Sequence, residues 1–524
     1  MMTLQKLPIG IQTFSTIREG NRVYVDKTPL LHEMLGAESR FFLSRPRRFG
    51  KSLLLDTIKE LFEGNQSLFE GLYIYDKWDW SKTNPVIRID FADADIVDKN
   101  SLDNAVLTIL NTHQVKFGIT CQAVDAVSCF RELVVKLHEQ AGRKVVILID
   151  EYDKPILDNI VHLEKADEIR LYLRSIYAVM KAQDAHIQFI LMTGVTKFSK
   201  VSLFSGVNQI QDISLHPRYA TICGYTQHDL ETTFAEHLAG VDWAELKEWY
   251  NGYNFLGDSV YNPYDVLLFI DEQHSYRSHW ASTGNMNFLH QLFRQTPFFV
   301  PDVEMLEADD RILTSFDIAR IDAVTLLYQT GYLTIDSTYR DFNGELAYRL
   351  RIPNKEVKLA LYRQFIDSYG DQEPHVQSQT TKLLHKHFTE QNLAGVQELI
   401  IGFFADIPWR NFTNTNLEHY EGYYASILYA FFKLINAQVI AEKTSVHGQV
   451  DLTIILGELV YVIEIKLDKS ADYQPQTPNP ALAQIQEKQY SKAYLGSDKQ
   501  VYEVGMIFNN TARNLVQMDW VRVE

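Results

Sequence analysis

Residues Phe41–Asp56, FFLSRPRRFGKSLLLD, constrain the fold more than any other stretch of this chain. Phe41-Phe42-Leu43 is a short apolar run of the kind that forms a buried strand. An arginine-rich turn follows, then Gly50-Lys51-Ser52, then an apolar run at helical spacing through Leu53, Leu54, Leu55, Ile58, Leu61 and Phe62. Strand, Gly-Lys-Ser and helix in that order predict a phosphate-binding loop. The first N–H groups of a helix lack intrahelical partners, so an anion placed there satisfies several at once. Lys51 would reach the β- and γ-phosphates, and the Ser52 hydroxyl would sit on Mg²⁺. The spacing departs from the usual pattern in one place. A glycine is expected five residues before Gly50, but Arg45 stands there, followed by the stiff Pro46. On spacing alone, Arg45, Arg47 and Arg48 read equally well as a solvated basic turn.

Further along, Lys144–Asp153 reads KVVILIDEYD. Five apolar residues, Val145–Ile149, ending in Asp150-Glu151 predict a strand buried on both faces with acids at its C-terminal end. Open parallel sheets bind ligands at that end. Such a Walker B strand would use Asp150 to hold Mg²⁺ through water and Glu151 to polarise the attacking water, with Asp153 next in line. Two solvated acids after a buried strand are the alternative for this segment taken alone. Val86–Phe91 predicts another strand. Asn104–Phe117, Val124–Gln140 and Ala166–Ala182 predict helices. His186–Met192 is a further buried strand, ending at Thr193. If that strand lies between the two Walker strands, Thr193 would sense the γ-phosphate, with Thr196 behind it. Upstream, Arg22–Val25 predicts a strand and Pro29–Leu35 a helix capped by Thr28. Tyr24, Asp26 and Lys27 are candidates to lie near a nucleotide base, with a structural role as the alternative.

The chain has 524 residues, enough for about three domains at roughly 150 residues each. Its net charge of −17 argues against a broad nucleic-acid-coating surface but leaves room for a local groove. Three cysteines without a CxxC pair make neither a disulfide framework nor a zinc site. The N-terminus reads as no signal peptide, and no run approaches the roughly 20 apolar residues of a membrane span, so the expected setting is soluble and cytoplasmic.

The blocks LSRPRRFGKS, VYVDKT, LIDEYDKPI, LMTGVTKFSKVSLFSG and HPRYATICGYT, in that order over about residues 4–220, resemble the bacterial AAA-ATPase-like family. In that family arginine in place of the first loop glycine is normal. The resemblance implies a P-loop ATPase core that binds ATP with Mg²⁺. The loop residues Arg45, Pro46, Arg47, Arg48, Phe49, Gly50, Lys51 and Ser52 would then cradle the nucleotide, with Asp150 and Thr193. Arg218, just past the core, would either reach the γ-phosphate or hold the following segment to the core by a salt bridge.

Residues 224–380 read as a mostly helical lid and winged-helix-like region. Thr226–Ala239 and Trp243–Tyr250 are expected helices, Thr283-Gly284-Asn285 a helix start, and Leu326–Ile335 with Tyr348–Ile352 a small hairpin unit. The polar stretch Asp367–Gln379 marks the next boundary. Domains at 1–223, 224–380 and 381–524 follow.

In the last domain, Tyr420–Asn436 is an apolar helix with Glu421 near its start. Val450–Leu456 and Leu459–Leu467 flank a two-residue Gly457-Glu458 turn, which suits type II′. That hairpin register sets Asp451 opposite Glu464, with Lys466 two residues on along the same face. Leu452, Ile454, Tyr461 and Ile463 form the opposite, core face. Opposed acids repel unless a cation lies between them, so the pattern points to Mg²⁺ with a lysine beside it. A solvated acidic face is the alternative. Asp-x(12)-Glu-x-Lys resembles the PD-(D/E)XK nuclease superfamily, in the member often fused behind an AAA-ATPase-like domain. The resemblance implies a restriction-endonuclease-like α/β domain with Asp451, Glu464 and Lys466 as its site, Glu421 as a third acid, and Gln484 of a helix Ala481–Tyr494 at the scissile phosphate. One departure is Gln449-Val450, where relatives commonly carry arginine.

Two functions of different class emerge. One is an ATPase coupled to a Mg²⁺-dependent nuclease. The other is a nucleotide-controlled switch or scaffold whose nuclease-like domain binds without cutting. The expected partner is nucleic acid, DNA ranked ahead of RNA, with no membrane; a homo-oligomer is left open.

Overall fold

The computed structural model describes residues 4–36, 39–160, 162–197, 209–280, 299–304, 306–310, 313, 322–369, 373–407, 421–445, 448–496 and 498–523. The chain divides into two compact units, Met1–His279 with Leu306–Glu356, and Trp280–Met305 with Val357–Glu524.

A five-stranded parallel sheet organises the first unit. Its strands are β1 (Ser39–Ser44), β2 (Val86–Asp90), β3 (Val145–Asp150), β4 (Ile187–Gly194) and β5 (Gln211–Asp212), in the order β2-β3-β4-β1-β5. The strand leading into the Gly50-Lys51-Ser52 turn and the strand ending in Asp150 are thus separated by β4, the order expected of an added strand. Val145–Ile149 are all 0% exposed, because helices cover both faces of the sheet. The helix Lys51–Glu63 starts where it does because Gly50 has φ +89, a left-handed conformation that favours glycine.

The helices Lys99–Phe117 and Ala126–Ala141 begin at Asp98 and Asp125, whose carboxylates accept the Ser101 and Ser128 N–H groups. Their starts thus differ from the expected Asn104 and Val124. The outer backbone of edge strand β2 is not bare: His113 Nε2 lies 3.1 Å from the Arg88 nitrogen and 2.9 Å from its carbonyl oxygen.

Arg22–Val25 is not a strand. A single bridge joins Lys6 to Arg22, and Val23 and Val25 instead enter an apolar cluster with Leu230, Phe234, Tyr250 and Val266. Lys27 also pairs with Asp229 at 2.7 Å. Residues 224–279 therefore pack on the N-terminal segment and share its unit. They carry the pair β6 (Tyr225–Thr226) and β7 (Val260–Tyr261). A second small sheet, β8-β10-β9, comprises β8 (Leu306–Asp309), β9 (Thr334–Arg340) and β10 (Leu346–Arg351). Leu326 belongs to a helix, Ala323–Gln329, because Asp322 caps it by accepting the Thr325 N–H. Residues 198–206 of the LMTGVTKFSKVSLFSG block and the Thr283-Gly284-Asn285 start lie outside the described residues.

The division at Glu356–Val357 comes before the expected boundary at 380. Tyr362, on the helix Lys355–Tyr369, donates to Glu304 at 2.8 Å and packs edge-on against Tyr429, which ties that helix to the second unit. The polar stretch itself contains a helix, Pro374–Thr389, with proline in its first turn.

The second unit is built on a mixed sheet of β11 (Gln438–Ser445), β12 (Gly448–Leu456), β13 (Leu459–Asp468), β14 (Gln500–Asn509) and β15 (Asn514–Val523), in sequential order. β13 and β14 run parallel, and the other neighbours are antiparallel. The β12–β13 ladder pairs Leu456 with Leu459 and Leu452 with Ile463, the register the two-residue turn predicts. Only the first turn residue, Gly457, has positive φ, +62.

Both faces of the sheet are covered, where one core face was expected. On one face, the Tyr461 ring packs edge-on against Phe388. On the other, Val460 and Val462 pack on Ile485, Tyr490 and Tyr494. The expected helix Ala481–Tyr494 is two pieces, an α-helix Pro480–Lys488 and a 3₁₀ turn Tyr490–Tyr494, broken at left-handed Gln489. Gly505 lets the first piece approach the sheet. A Cβ there would lie 2.4 Å from the Leu482 nitrogen and 2.9 Å from Asn479 Oδ1. Gly505→Ala is therefore expected to destabilise this unit by about 1–3 kcal/mol, read as a lowered midpoint in urea denaturation. An unchanged midpoint would mean the helix has room to move away.

Candidate nucleotide and metal sites

In the first unit, the loop between β1 and the helix Lys51–Glu63 is held by its own side chains. Arg45 is 1% exposed, its side chain turned into the protein. Its guanidinium donates to the carbonyls of Ser44 (2.8 Å), Ser214 (2.7 Å), Tyr219 (3.1 Å) and Ala220 (3.4 Å), and lies 3.9 Å over the Phe255 ring. This corrects its assignment as a nucleotide ligand: the side chain clamps the loop from behind. Phe49 packs edge-on against Tyr253 and Phe255, so its ring is core as well. Arg48, at φ +66, stacks 3.9 Å over Tyr264. Arg47 is half-buried and its charge acts on Glu151.

Lys51 is buried, and its ammonium donates to the Arg45 and Pro46 carbonyls at 2.9 and 3.0 Å. Burial lowers its pKa, opposed first by the charge of Glu151 and then by Asp150 and Asp153. Ser52, half-buried, is the second residue of the helix.

Asp150 is 1% exposed. Its Oδ1 accepts from the Thr193 hydroxyl at 2.6 Å and the Glu151 N–H at 3.1 Å. Thr193 thus spends its hydroxyl on Asp150. Thr196 does the same for Asp153, which also accepts the Val195 and Thr196 N–H groups at 3.0 and 2.6 Å. Asp153 anchors the loop after β4, so it is no reserve catalyst. Glu151 adopts φ +48. Burial raises its pKa, and Lys51 is the largest opposing influence. Arg218 reaches Glu33 at 3.9 Å with both side chains more than half exposed, the ion-pair alternative in a form worth little.

Beside Gly50 lies an apolar pocket lined by Tyr24, Val25, Lys27, Leu53, Ile222 and Tyr225. Of the three residues expected near a base, Tyr24 and Lys27 line it. Asp26 turns away, accepting the Thr28 and Tyr73 N–H groups at 2.8 Å each. Sequence reasoning passed over Arg88, which touches Asp56, Asp90 and Asp150. The available signal was an arginine inside an otherwise apolar strand.

In the second unit, Glu464 is 4% exposed. Its Oε1 accepts from the Gln484 amide, while Oε2 is buried without a hydrogen-bond partner. Gln484 therefore meets the carboxylate, which corrects its assignment to a phosphate. Asp451 lies just past the end of the β12–β13 ladder, and its Oδ2 accepts the Ile465 N–H at 2.7 Å. Burial and then the Asp451 charge raise the Glu464 pKa from 4.5 to about 8, against the opposing Asp451 N–H and Lys466. Glu421 adds a smaller push in the same direction, and its own pKa is raised by burial.

Asp451, Glu464, Lys466 and Gln484 thus share one neighbourhood, with Glu421 in electrostatic reach. Among the described residues no three His, Cys, Asp or Glu side chains gather as a metal cluster, so Glu421 does not complete a three-acid set. Two acids suffice for Mg²⁺, which keeps several waters. The bare, buried Oε2 of Glu464 and the repulsion between the two acids fit a divalent cation there.

Against known proteins, residues 8–204 match the predicted AAA-ATPase family, and residues 419–518 match the PD-(D/E)XK nuclease superfamily. The chain belongs to the proteins that join an AAA-ATPase-like domain to a C-terminal PD-(D/E)XK domain. It is 41% identical over 517 residues, 98% of each chain, to an "Uncharacterized protein in vnfD 5'region" of Azotobacter chroococcum mcd 1. Among the described residues no helix is long and apolar enough to cross a membrane.

The raised Glu464 pKa has a stability consequence. Between about pH 4.5 and 8 the folded carboxyl holds a proton that the unfolded one has lost. Its contribution is thus full below pH 4.5 and is lost as pH rises through 8. In EDTA, wild type should lose stability relative to Glu464→Gln across that window. Added Mg²⁺ should restore more stability at the alkaline end, where the acid is ionised. Parallel pH profiles for the two proteins would show the acid to be unshifted.

Proposed function

We propose that the protein binds and hydrolyses ATP with Mg²⁺ in its first unit and carries a Mg²⁺-dependent nuclease in its second, acting on nucleic acid in the cytoplasm. The observation that carries the reading is the buried, half-bonded Glu464 carboxylate beside Asp451 and Lys466, in a chain that also has a strand–Gly-Lys-Ser–helix loop. In the first unit, Lys51 would hold the β- and γ-phosphates, Ser52 and Asp150 the metal, and Glu151 the attacking water's proton. The apolar cavity beside Gly50 suits a base. In the second, Asp451 and Glu464 would hold Mg²⁺, which supplies Lewis-acid stabilisation of the phosphate when bound. Lys466 would act on the attacking water and the developing charge, and Gln484 would orient Glu464. A switch or scaffold that binds without cutting is the second reading, favoured by the net charge of −17.

Lys51→Ala should abolish ATP binding in calorimetry, because the phosphates lose their positioned lysine. Glu151→Gln should bind ATP but turn it over about 10²-fold or more slowly. Wild-type behaviour in either variant would overturn that assignment.

Cleavage is tested on single- and double-stranded DNA and RNA with Mg²⁺, with and without ATP. Asp451→Ala should lose metal and cleavage together. Lys466→Ala should keep metal and nucleic acid but lose cleavage. Nucleic-acid binding by wild type without cleavage under every condition would favour the switch. Undiminished cleavage with both acids replaced would remove the nuclease assignment.

A further inference from the structure

Arg88 stands where β2 faces the helix Lys51–Glu63. Its guanidinium contacts three carboxylates: Asp56 Oδ1 at 3.1 Å, Asp90 Oδ2 at 3.1 Å and Asp150 Oδ2 at 3.5 Å. Asp56 is 5% exposed and Asp150 1%, so two of the three lie in a medium where an uncompensated charge is costly. Asp56 lies one helical turn beyond Ser52 and is itself fixed, accepting the Phe14 N–H at 2.7 Å and Lys59 at 3.0 Å. Asp150 has its Oδ1 committed to Thr193 and Glu151, which leaves Oδ2 as the oxygen for a metal-bound water. Arg88 therefore touches both halves of the candidate Mg²⁺ site: the helix that presents Ser52, through Asp56, and the outward oxygen of Asp150. Its backbone is pinned in turn by His113.

We infer that Arg88 is a positioning residue for the nucleotide's Mg²⁺. It keeps the Asp150 Oδ2 aimed while no metal is bound, and it holds the Ser52 helix in register with β3. The Asp150 contact is the longest of the three. When Mg²⁺ takes Oδ2, the guanidinium keeps Asp56 and Asp90 as partners, so the metal displaces it at little cost. Lysine, a point charge without the planar fork, can replace the charge but not all three contacts. This inference rests on the proposed ATP site and would fail separately from it.

The test is nucleotide affinity of the full chain, measured by calorimetry with ATP in EDTA and with ATP over a Mg²⁺ titration. Arg88→Met keeps bulk and removes charge, and Arg88→Lys restores charge. If wild type does not bind ATP at all, the site reading itself is wrong. Given wild-type binding, Arg88→Met should lower affinity in EDTA much less than affinity with Mg²⁺ and shift the Mg²⁺ dependence at least tenfold toward higher Mg²⁺, as outer-shell partners of a metal site do. Arg88→Lys should recover part of the shift. Equal loss with and without Mg²⁺ would mean a purely structural arginine. An unchanged Mg²⁺ curve, or one moved to lower Mg²⁺, would show Arg88 to be a bystander or a competitor. Each of those results overturns the inference.

Discussion

A charged guanidinium is costly to bury without hydrogen-bond partners, and in the first unit the loop after β1 is organised around supplying most of them. The two terminal nitrogens of Arg45 donate to four carbonyls, three of them from residues 214–220, Nε is left without a hydrogen-bond partner, and the plane lies on Phe255. Burial pulls its pKa down to about 10, still high enough to keep the charge at neutral pH. The cost of burying it is offset only if those carbonyls hold their places, so the clamp fixes both the loop's start and the segment it grips. The next residues add to the grip: Phe49 wedges between two aromatic rings and Arg48 covers Tyr264. What the common pattern does with a glycine and free backbone, this chain does with side chains anchored outside the loop. Lys51 then has one direction left, toward the loop's own carbonyls and the acids at the end of β3.

The features legible in the sequence were those set by neighbouring residues. The strand–Gly-Lys-Ser–helix order, the buried runs of β3 and β4, and the hairpin register all follow from periodicity and turn chemistry over a few positions. The apolar run Val145–Ile149, short, rich in β-branched residues and ending in acids, has the length and composition of a strand covered on both sides. The direction of Arg45 was not legible, because three of its four acceptors stand 169 or more residues away. Nothing near Arg45 distinguishes a ligand for phosphate from a clamp on Ser214. Gln484 was misread for a related reason: its partner depends on how closely a helix can approach β14, and Gly505, inside β14 and well past the helix in sequence, decides that. Helix starts were displaced where an aspartate cap, Asp98 or Asp125, outweighed the apolar spacing. The boundary was misplaced because an amphipathic helix opening on Pro374 has the composition of a linker.

The two candidate sites solve one electrostatic problem in opposite ways. Each presents an acid from a buried strand, with one oxygen committed to a donor within the protein and the other left for something else. At Asp150 the committed oxygen meets Thr193 and Glu151, and the remaining one faces Arg88. At Glu464 the committed oxygen meets Gln484, and the remaining one faces nothing that hydrogen-bonds it. The second acid also has Asp451 beside it, with Lys466 only partly offsetting the repulsion, so burial and repulsion drive it toward its neutral form. A proton at Glu464 and a guanidinium at Asp150 are both stand-ins for positive charge. They differ in what a divalent cation must do on arrival: expel a proton in one case, and in the other push aside an arginine that has two more carboxylates to hold. The first exchange depends on pH and the second does not, so metal loading at the two sites should respond to different conditions although the ion required is the same.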